Sequence, residues 1–228
     1  MPSLRWLFRQ RAPFSPEVTM ESIVLGSRYG AHCVSPRGLG SVSIAYSFGV
    51  GEDVSFDLEL IKRFGLTVHA FDPTPRSIAW VRAQTMRPGF VMHEVGLAAY
   101  DGMARFRPPH NPAHISHTML ERRSTEHRAI EVPVKRLGTL MRELGHSRLD
   151  VLKMDIEGAE YDAIEDIIAS GVAIDQVLVE FHHQLPEVPL ERTRHAVEVL
   201  RDAGYSIFHV SAGGRECSFA HRRIVGSS

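Results

Sequence analysis

Cysteine is scarce: Cys33 and Cys217 are the only two in 228 residues, too few for a disulfide framework. Long apolar runs are missing, since no stretch approaches the ~18 consecutive apolar residues of a membrane span. The opening MPSLRWLFRQRAPF is basic but lacks the apolar run of a secretory signal, and a reducing cytoplasm is the expected location. Neither sign of charge dominates: 26 Lys and Arg stand against 27 Asp and Glu. The field of the whole molecule therefore does not steer it towards phosphate backbones, and no nucleic-acid partner is expected. No segment repeats at a fixed period, which excludes solenoids and propellers. The length suits one large domain, and nothing in the sequence sets an oligomeric state.

What the chain does have is alternation. From residue 42 onward, runs rich in β-branched residues, VSIAYSF, LTVHAF, FVMHEV, LDVLKM and QVLVEF, alternate with stretches of helical period at 53–64, 75–85, up to about 144, 159–170 and 190–203. In the first helix Val54, Leu58 and Ile61 form the expected apolar stripe, with Phe64 closing it and Gly65 as the stop. The run AIEVPVKRL precedes the third of these helical stretches, which is expected only to reach about Leu144. Strands separated by helices imply right-handed crossovers and a mostly parallel, Rossmann-like α/β sheet covered on both faces. The last pair, YSIFHV and CSFAH, predicts an antiparallel edge. Asp101-Gly102 between apolar flanks predicts a hairpin turn, and 108–128, rich in Pro, Ser, Arg and His, reads as a lid-like loop. Residues 1–40 are expected to be an arm or cap, and 41–228 the domain proper.

In open α/β sheets ligands bind beyond the carboxyl ends of the strands. Four places lie there. At Ser47-Phe48-Gly49-Val50-Gly51-Glu52-Asp53 a strand breaks into glycines as a helix begins, so backbone N–H groups can approach a ligand; a tight turn alone would also explain the glycines. Asp72, in HAFDPTP, follows Gly51 by 21 residues, close to the ~20-residue offset at which an acid grips ribose hydroxyls. Asp72 ahead of Pro73 also suits a turn or helix cap, a compatible role. Together the pair implies an adenosine cofactor, either NAD or S-adenosylmethionine. A dinucleotide fingerprint wants a third glycine where Val54 stands, which favours the ligand without phosphates.

The third place is Asp155-Ile156-Glu157-Gly158-Ala159-Glu160, after a strand whose apolar run Lys153 interrupts. Glu157 and Glu160 in a first helical turn are explained by the helix dipole; Asp155 is not. The fourth is Glu180-Phe181-His182-His183, where alternation puts Glu180 and His182 on one face and His183 on the other.

DVLKMDIEGAEYDAI followed by LVEFHH, and preceded by YSFGVGED and HAFDPTP, resembles the FkbM family of S-adenosylmethionine-dependent methyltransferases, from about Ser41 to Ala220. The resemblance implies a class I methyltransferase fold with a seven-stranded sheet, and O-methylation of a sugar, glycan or natural-product hydroxyl. It places Gly49 and Gly51 against the amino-acid portion of the cofactor, Asp72 on the ribose, Gly96 and Leu97 beside the adenine, and Asp155 facing the transferred methyl. One departure stands out. Many members carry an acid two residues before the first glycine, where this chain has Ser47, and Glu52 or Asp53 are the possible substitutes.

Transfer of a methyl group to a hydroxyl requires alignment and removal of one proton. Asp155, Glu180 and His182 are the candidate bases, histidine being best matched to neutral pH. No resident metal is expected, although the same carboxylates and His182 could alternatively hold a divalent ion. His110, His114 and His117, among thirteen histidines, have zinc-like spacing without an accompanying cysteine or glutamate pattern, and a lid contacting substrate is the expected role. A nicotinamide-dependent oxidoreductase and a non-catalytic Rossmann-like scaffold are the rival readings.

Overall fold

The fold is that of a computed structural model, which describes residues 13–108, 118, 119 and 127–226. An arm carries β1 (Ile23–Leu25) and β2 (His32–Val34), followed by β3 (Ile44–Phe48), α1 (Ser55–Phe64), β4 (Thr67–Phe71), α2 (Pro75–Arg82) and β5 (Phe90–His93). Next come β6 (Gly96–Leu97), β7 (Gly102–Phe106), β8 (Ile130–Lys135), α3 (Leu137–Leu144), β9 (Arg148–Met154), α4 (Glu160–Ser170) and β10 (Ala173–Glu180). The chain ends with α5 (Leu190–Asp202), β11 (Tyr205–Val210), β12 (Glu216–His221) and the short α6 (Arg222–Val225).

Seven strands form the central sheet in the order β11-β12-β10-β9-β3-β4-β5. The pairs β10–β9, β9–β3, β3–β4 and β4–β5 are parallel, while β12 runs antiparallel to both β10 and β11. The expected mostly parallel Rossmann-like sheet of the class I methyltransferase type is present. Its central strands must be covered on both faces because nearly every position in them is apolar. On one face Tyr46, Phe48, Phe71, Leu152 and Met154 pack with residues of α3, α4 and α5; on the other Ala45, Val68 and Val151 pack with α1 and with Cys33 and Val34 of the arm.

Two local expectations shift. In α1 the buried face is Phe56, Asp57, Leu60 and Ile61, with Leu58 only partly buried, so an acid lies on the face that meets the sheet. Gly65 ends the helix in the left-handed region as expected, its N–H donating to the Ile61 carbonyl. The strands flanking Asp101-Gly102 do not form a hairpin: β6 and β7 lie on opposite sides of β8 in a separate three-stranded sheet. The Asp101 carboxylate accepts from Arg136 N and Thr139 Oγ1, so it ties its loop to the start of α3 in place of the turn chemistry that would have closed a hairpin.

The described residues ahead of β3 pack on the sheet and α1. Ser35 exchanges two hydrogen bonds with the Gln176 side chain, Ser218 Oγ donates to the Cys33 carbonyl, and Glu17 accepts from Ile207 N on the edge strand.

Candidate active site

Strand register brings the site together. Phe48 pairs with both Phe71 and Met154, and Met154 with Val179. Gly49, Asp72, Asp155 and Glu180 therefore leave the sheet side by side at its carboxyl edge, and a cleft of about 820 Å³ opens there, a size that suits a nucleoside-sized ligand. Gly49 has φ +83°, and a Cβ on it would stand 1.8 Å from the Asp155 carbonyl oxygen. Glycine at this position thus allows two strand ends to touch. Lys153 secures the same junction, its Nζ donating to the carbonyls of Phe48 and Gly49 at 3.2 and 2.8 Å.

Asp72 joins the glycine turn to the second strand. Its Oδ2 accepts from Gly51 N at 3.0 Å, and its Oδ1 from Thr74 N and Thr74 Oγ1 at 2.9 and 2.6 Å. An ionised carboxylate has about four acceptor positions; three are engaged, which fixes the carboxylate's orientation and leaves one for a hydroxyl in the cleft. The turn role and the ligand role of Asp72 are thus compatible. Pro73, Gly96, Leu97, Phe106 and Met119 line the wall beyond it. Gly96 is confined there, since a Cβ would come within 3.1 Å of Pro73 and 3.2 Å of Val134.

Below the glycine turn, Ser47 Oγ and Asp57 Oδ1 are buried without a well-formed hydrogen bond among the described residues, the Ser47 hydroxyl standing near enough to the Asp57 carboxylate to favour its ionised form. Burial pushes the Asp57 carboxyl up to about 6, against the pull of the Lys153 ammonium. Asp57 lines the cleft; a buried acceptor without a donor is costly unless a ligand supplies one, and an ammonium group would satisfy it. The acids named as substitutes at Ser47 are engaged elsewhere. Glu52 forms an exposed ion pair with Arg76 at 2.7 Å. Asp53 accepts from Ser27 Oγ and from Ser55 N; although partial burial opposes it, these bonds hold Asp53 below the usual carboxylate range.

At the other end of the cleft lie the acids of the third and fourth places. Glu160 is fully buried; its Oε1 accepts from Ile156 N and faces His182 Nδ1 at 2.9 Å, and its Oε2 accepts from Gly158 N. It clamps the whole 155–160 loop and orients the imidazole, a larger role than a helix-dipole acid. His182 Nε2 points back towards Asp155 and Glu157, 3.6 Å from an oxygen of each. Burial alone would lower His182, but the carboxylates of Glu160, Glu157 and Asp155 push it up to about 10. Burial, reinforced by Asp155, pushes Glu180 up to about 7, with Arg215 at 3.3 Å restraining the rise.

Of the residues expected from sequence, Phe48, Gly49, Gly51, Glu52, Asp53, Asp72, Pro73, Gly96, Leu97, Asp155 and Glu180 line the cleft. Ser47 lies beneath its floor, and His182 stands behind Asp155 and Glu157. His110, His114, His117 and nearly all of the lid-like loop lie outside the described residues. Asp57, Tyr29 and Gly30 also line the cleft and were not singled out, while Glu157, read from sequence as a helix-dipole acid, lines the cleft from the loop before α4. Asp57 had a signal, a carboxylate one turn before Leu60 and Ile61 on an apolar stripe; Tyr29 had none.

Comparison with known proteins bears on the family of the chain. A family model described as the methyltransferase FkbM domain matches residues 43–207. The chain is 29% identical over 144 residues to "Probable methyltransferase-like protein 24" of Rattus norvegicus, covering 62% of this chain and 33% of that protein. It is 28% identical over 147 residues to the protein of the same name from Homo sapiens, with the same shares. The match spans about a third of the length of these curated relatives. Among solved structures, the Methanococcus jannaschii fibrillarin pre-rRNA processing protein superposes with a TM-score of 0.47 at 11% identity, over 80% of this chain and 67% of that one. The Aeropyrum pernix fibrillarin solved with natively bound S-adenosyl-L-methionine gives 0.47 at 11% identity, over 82% and 68%. Because the FkbM model takes in well over half of the sequence, including every strand end that borders the cleft, the chain belongs to the FkbM family of S-adenosylmethionine-dependent methyltransferases.

Proposed function

We propose that this chain methylates a hydroxyl group on a small-molecule or glycan acceptor. The observation that carries the reading is the polarity of the cleft: hydroxyl and ammonium acceptors, Asp72 and Asp57, at one end and a proton-accepting carboxylate array at the other. S-adenosylmethionine supplies an electrophilic methyl group on a sulfonium. The residues present fit it: Asp72 retains an acceptor position for a ribose hydroxyl, Gly96 and Leu97 border an apolar wall suited to adenine, and Asp57 offers a buried acceptor to the amino group in place of the acid missing at Ser47.

The chain's own contribution to the chemistry is alignment and proton removal. Alignment supplies ~7–11 kcal/mol in favourable systems, and a positioned base adds ~10²–10⁴-fold. Of the three candidate bases, Glu180 is best matched to neutral pH, because its carboxyl titrates near 7. His182, pushed up to about 10, keeps its proton at neutral pH in the absence of another cation and is a poor acceptor there. Asp155 faces the reacting end and positions the acceptor. The nicotinamide reading loses further support at Val54, which is buried in the core where that fingerprint would leave room for a pyrophosphate.

The test is release of S-adenosylhomocysteine in the presence of glycan and polyketide hydroxyl acceptors. Glu180→Gln is expected to lower turnover by at least 10²-fold with cofactor affinity unchanged. A panel that yields only amine or carbon methylation, or full turnover in Glu180→Gln, would contradict the hydroxyl-and-base assignment.

A further inference from the structure

Three ligand atoms of two chemical kinds converge at the acid end of the cleft. An oxygen of Asp155, an oxygen of Glu157 and a ring nitrogen of His182 all lie within 4.8 Å of one another. The two 3.6 Å separations from Nε2 are too long for hydrogen bonds. They suit two ligands of one ion, each about 2.0–2.2 Å from it.

The imidazole provides a second, independent observation. Its side chain is 4% exposed, and its Nδ1 is held by the buried Glu160 at 2.9 Å, so Nε2 is the ring nitrogen left to act. Nε2 is aimed between the two carboxylates and makes no hydrogen bond among the described residues. A carboxylate fixing one ring nitrogen while the other faces the ligand position is the arrangement that orients metal-binding histidines. Glu160 is in turn held by Ile156 N and Gly158 N, so the loop bearing Asp155 and Glu157 is set by the same group. Glu157 is the one described non-glycine residue with positive φ, at 55°. That backbone places the Glu157 carboxylate 3.6 Å from His182 Nε2.

We propose that Asp155, Glu157 and His182 bind a divalent cation of mixed oxygen and nitrogen preference, Mn²⁺ above all, whose remaining positions face the cleft. One imidazole with two carboxylates disfavours Ca²⁺ and Mg²⁺, which prefer all-oxygen surroundings. Three protein ligands leave coordination positions open, and the cleft-facing ones receive the acceptor's hydroxyl. There the ion would act as a Lewis acid on the hydroxyl oxygen and hold it in place for methyl transfer. Binding of the ion stands on the three side chains alone; its part in the reaction rests on the function proposed above.

The test uses the whole chain stripped with EDTA and titrated with Mn²⁺ alone, followed by calorimetry and by the electron paramagnetic resonance signal of free Mn²⁺. One Mn²⁺ per chain is expected. Glu157→Gln, a change at a partly exposed position, is expected to weaken it at least tenfold with the melting temperature unchanged. Absence of saturable Mn²⁺ binding, or equal binding by the wild type and Glu157→Gln, overturns the proposal. Measuring S-adenosylhomocysteine in the same samples separates the two readings. Cofactor binding without Mn²⁺ binding removes the metal site and leaves the methyltransferase reading; Mn²⁺ binding without cofactor binding does the reverse.

Discussion

His32 shows how a single buried side chain sets the acid limit of this molecule. It is 3% exposed and packs edge-on against Phe56. Burial, with the Lys153 ammonium adding to it, lowers its pKa from 6.5 to about 3. A histidine whose folded pKa is depressed contributes stability that is present above its unfolded pKa and lost as pH falls. Unfolding free energy should therefore drop below pH 6.5 by roughly 1.4 kcal/mol per pH unit from this group, and His32→Leu should flatten that limb in urea titrations between pH 7 and 5. Asp57 has the opposite sign: its carboxyl is raised to about 6, so its contribution is lost as pH rises through that value. Asp57→Asn should be more stable than the wild type at pH 8 while binding S-adenosylhomocysteine on the order of tenfold more weakly, a loss of about 1.4 kcal/mol; unchanged affinity would remove Asp57 from the amino-group site. Single residues were unevenly legible. Asp72 could be found because its offset from Gly51 reflects one strand–helix–strand unit. Asp57 and Glu160 could not be assigned, because a carboxylate's partners are set by folding and both positions have ordinary explanations in a helix.

Elements were easier to read than their partners. The alternation of β-branched runs and amphipathic stretches located the central strands, since burial on both faces leaves nearly continuous apolar sequence. The phase of α1 slipped because Leu58 and Phe56 compete for the sheet and only packing decides between them. The Asp101-Gly102 hairpin failed because β8, distant in sequence, pairs with β7 and separates it from β6. The glycine turn suggested an approach to ligand, whereas at Gly49 the nearest neighbour is another strand end. Gly49→Ala should accordingly destabilise the fold by about 2–5 kcal/mol, combining a left-handed conformation with overpacking against backbone. A loss below about 1 kcal/mol in chemical unfolding would show that the β3 and β9 ends can part freely.

At the scale of the whole molecule, the parallel order of the central strands places all four sequence clusters on one edge, and this is why a reading confined to strand ends could assemble most of the cleft. The contribution of Tyr29 and Gly30 was invisible, since the arm reaches the cleft mouth only after β1 and β2 dock on the domain. The hydroxyl acceptor, the base and the ion all depend on one prior claim, that an adenosine-containing cofactor lies across this edge with its ribose on Asp72. Calorimetric titration of the intact chain with S-adenosylhomocysteine tests that claim most directly. One site per chain is predicted, weakened at least tenfold in an Asp72→Asn variant that still unfolds cooperatively. No binding by the wild type, or equal affinity in a folded Asp72→Asn, would contradict it.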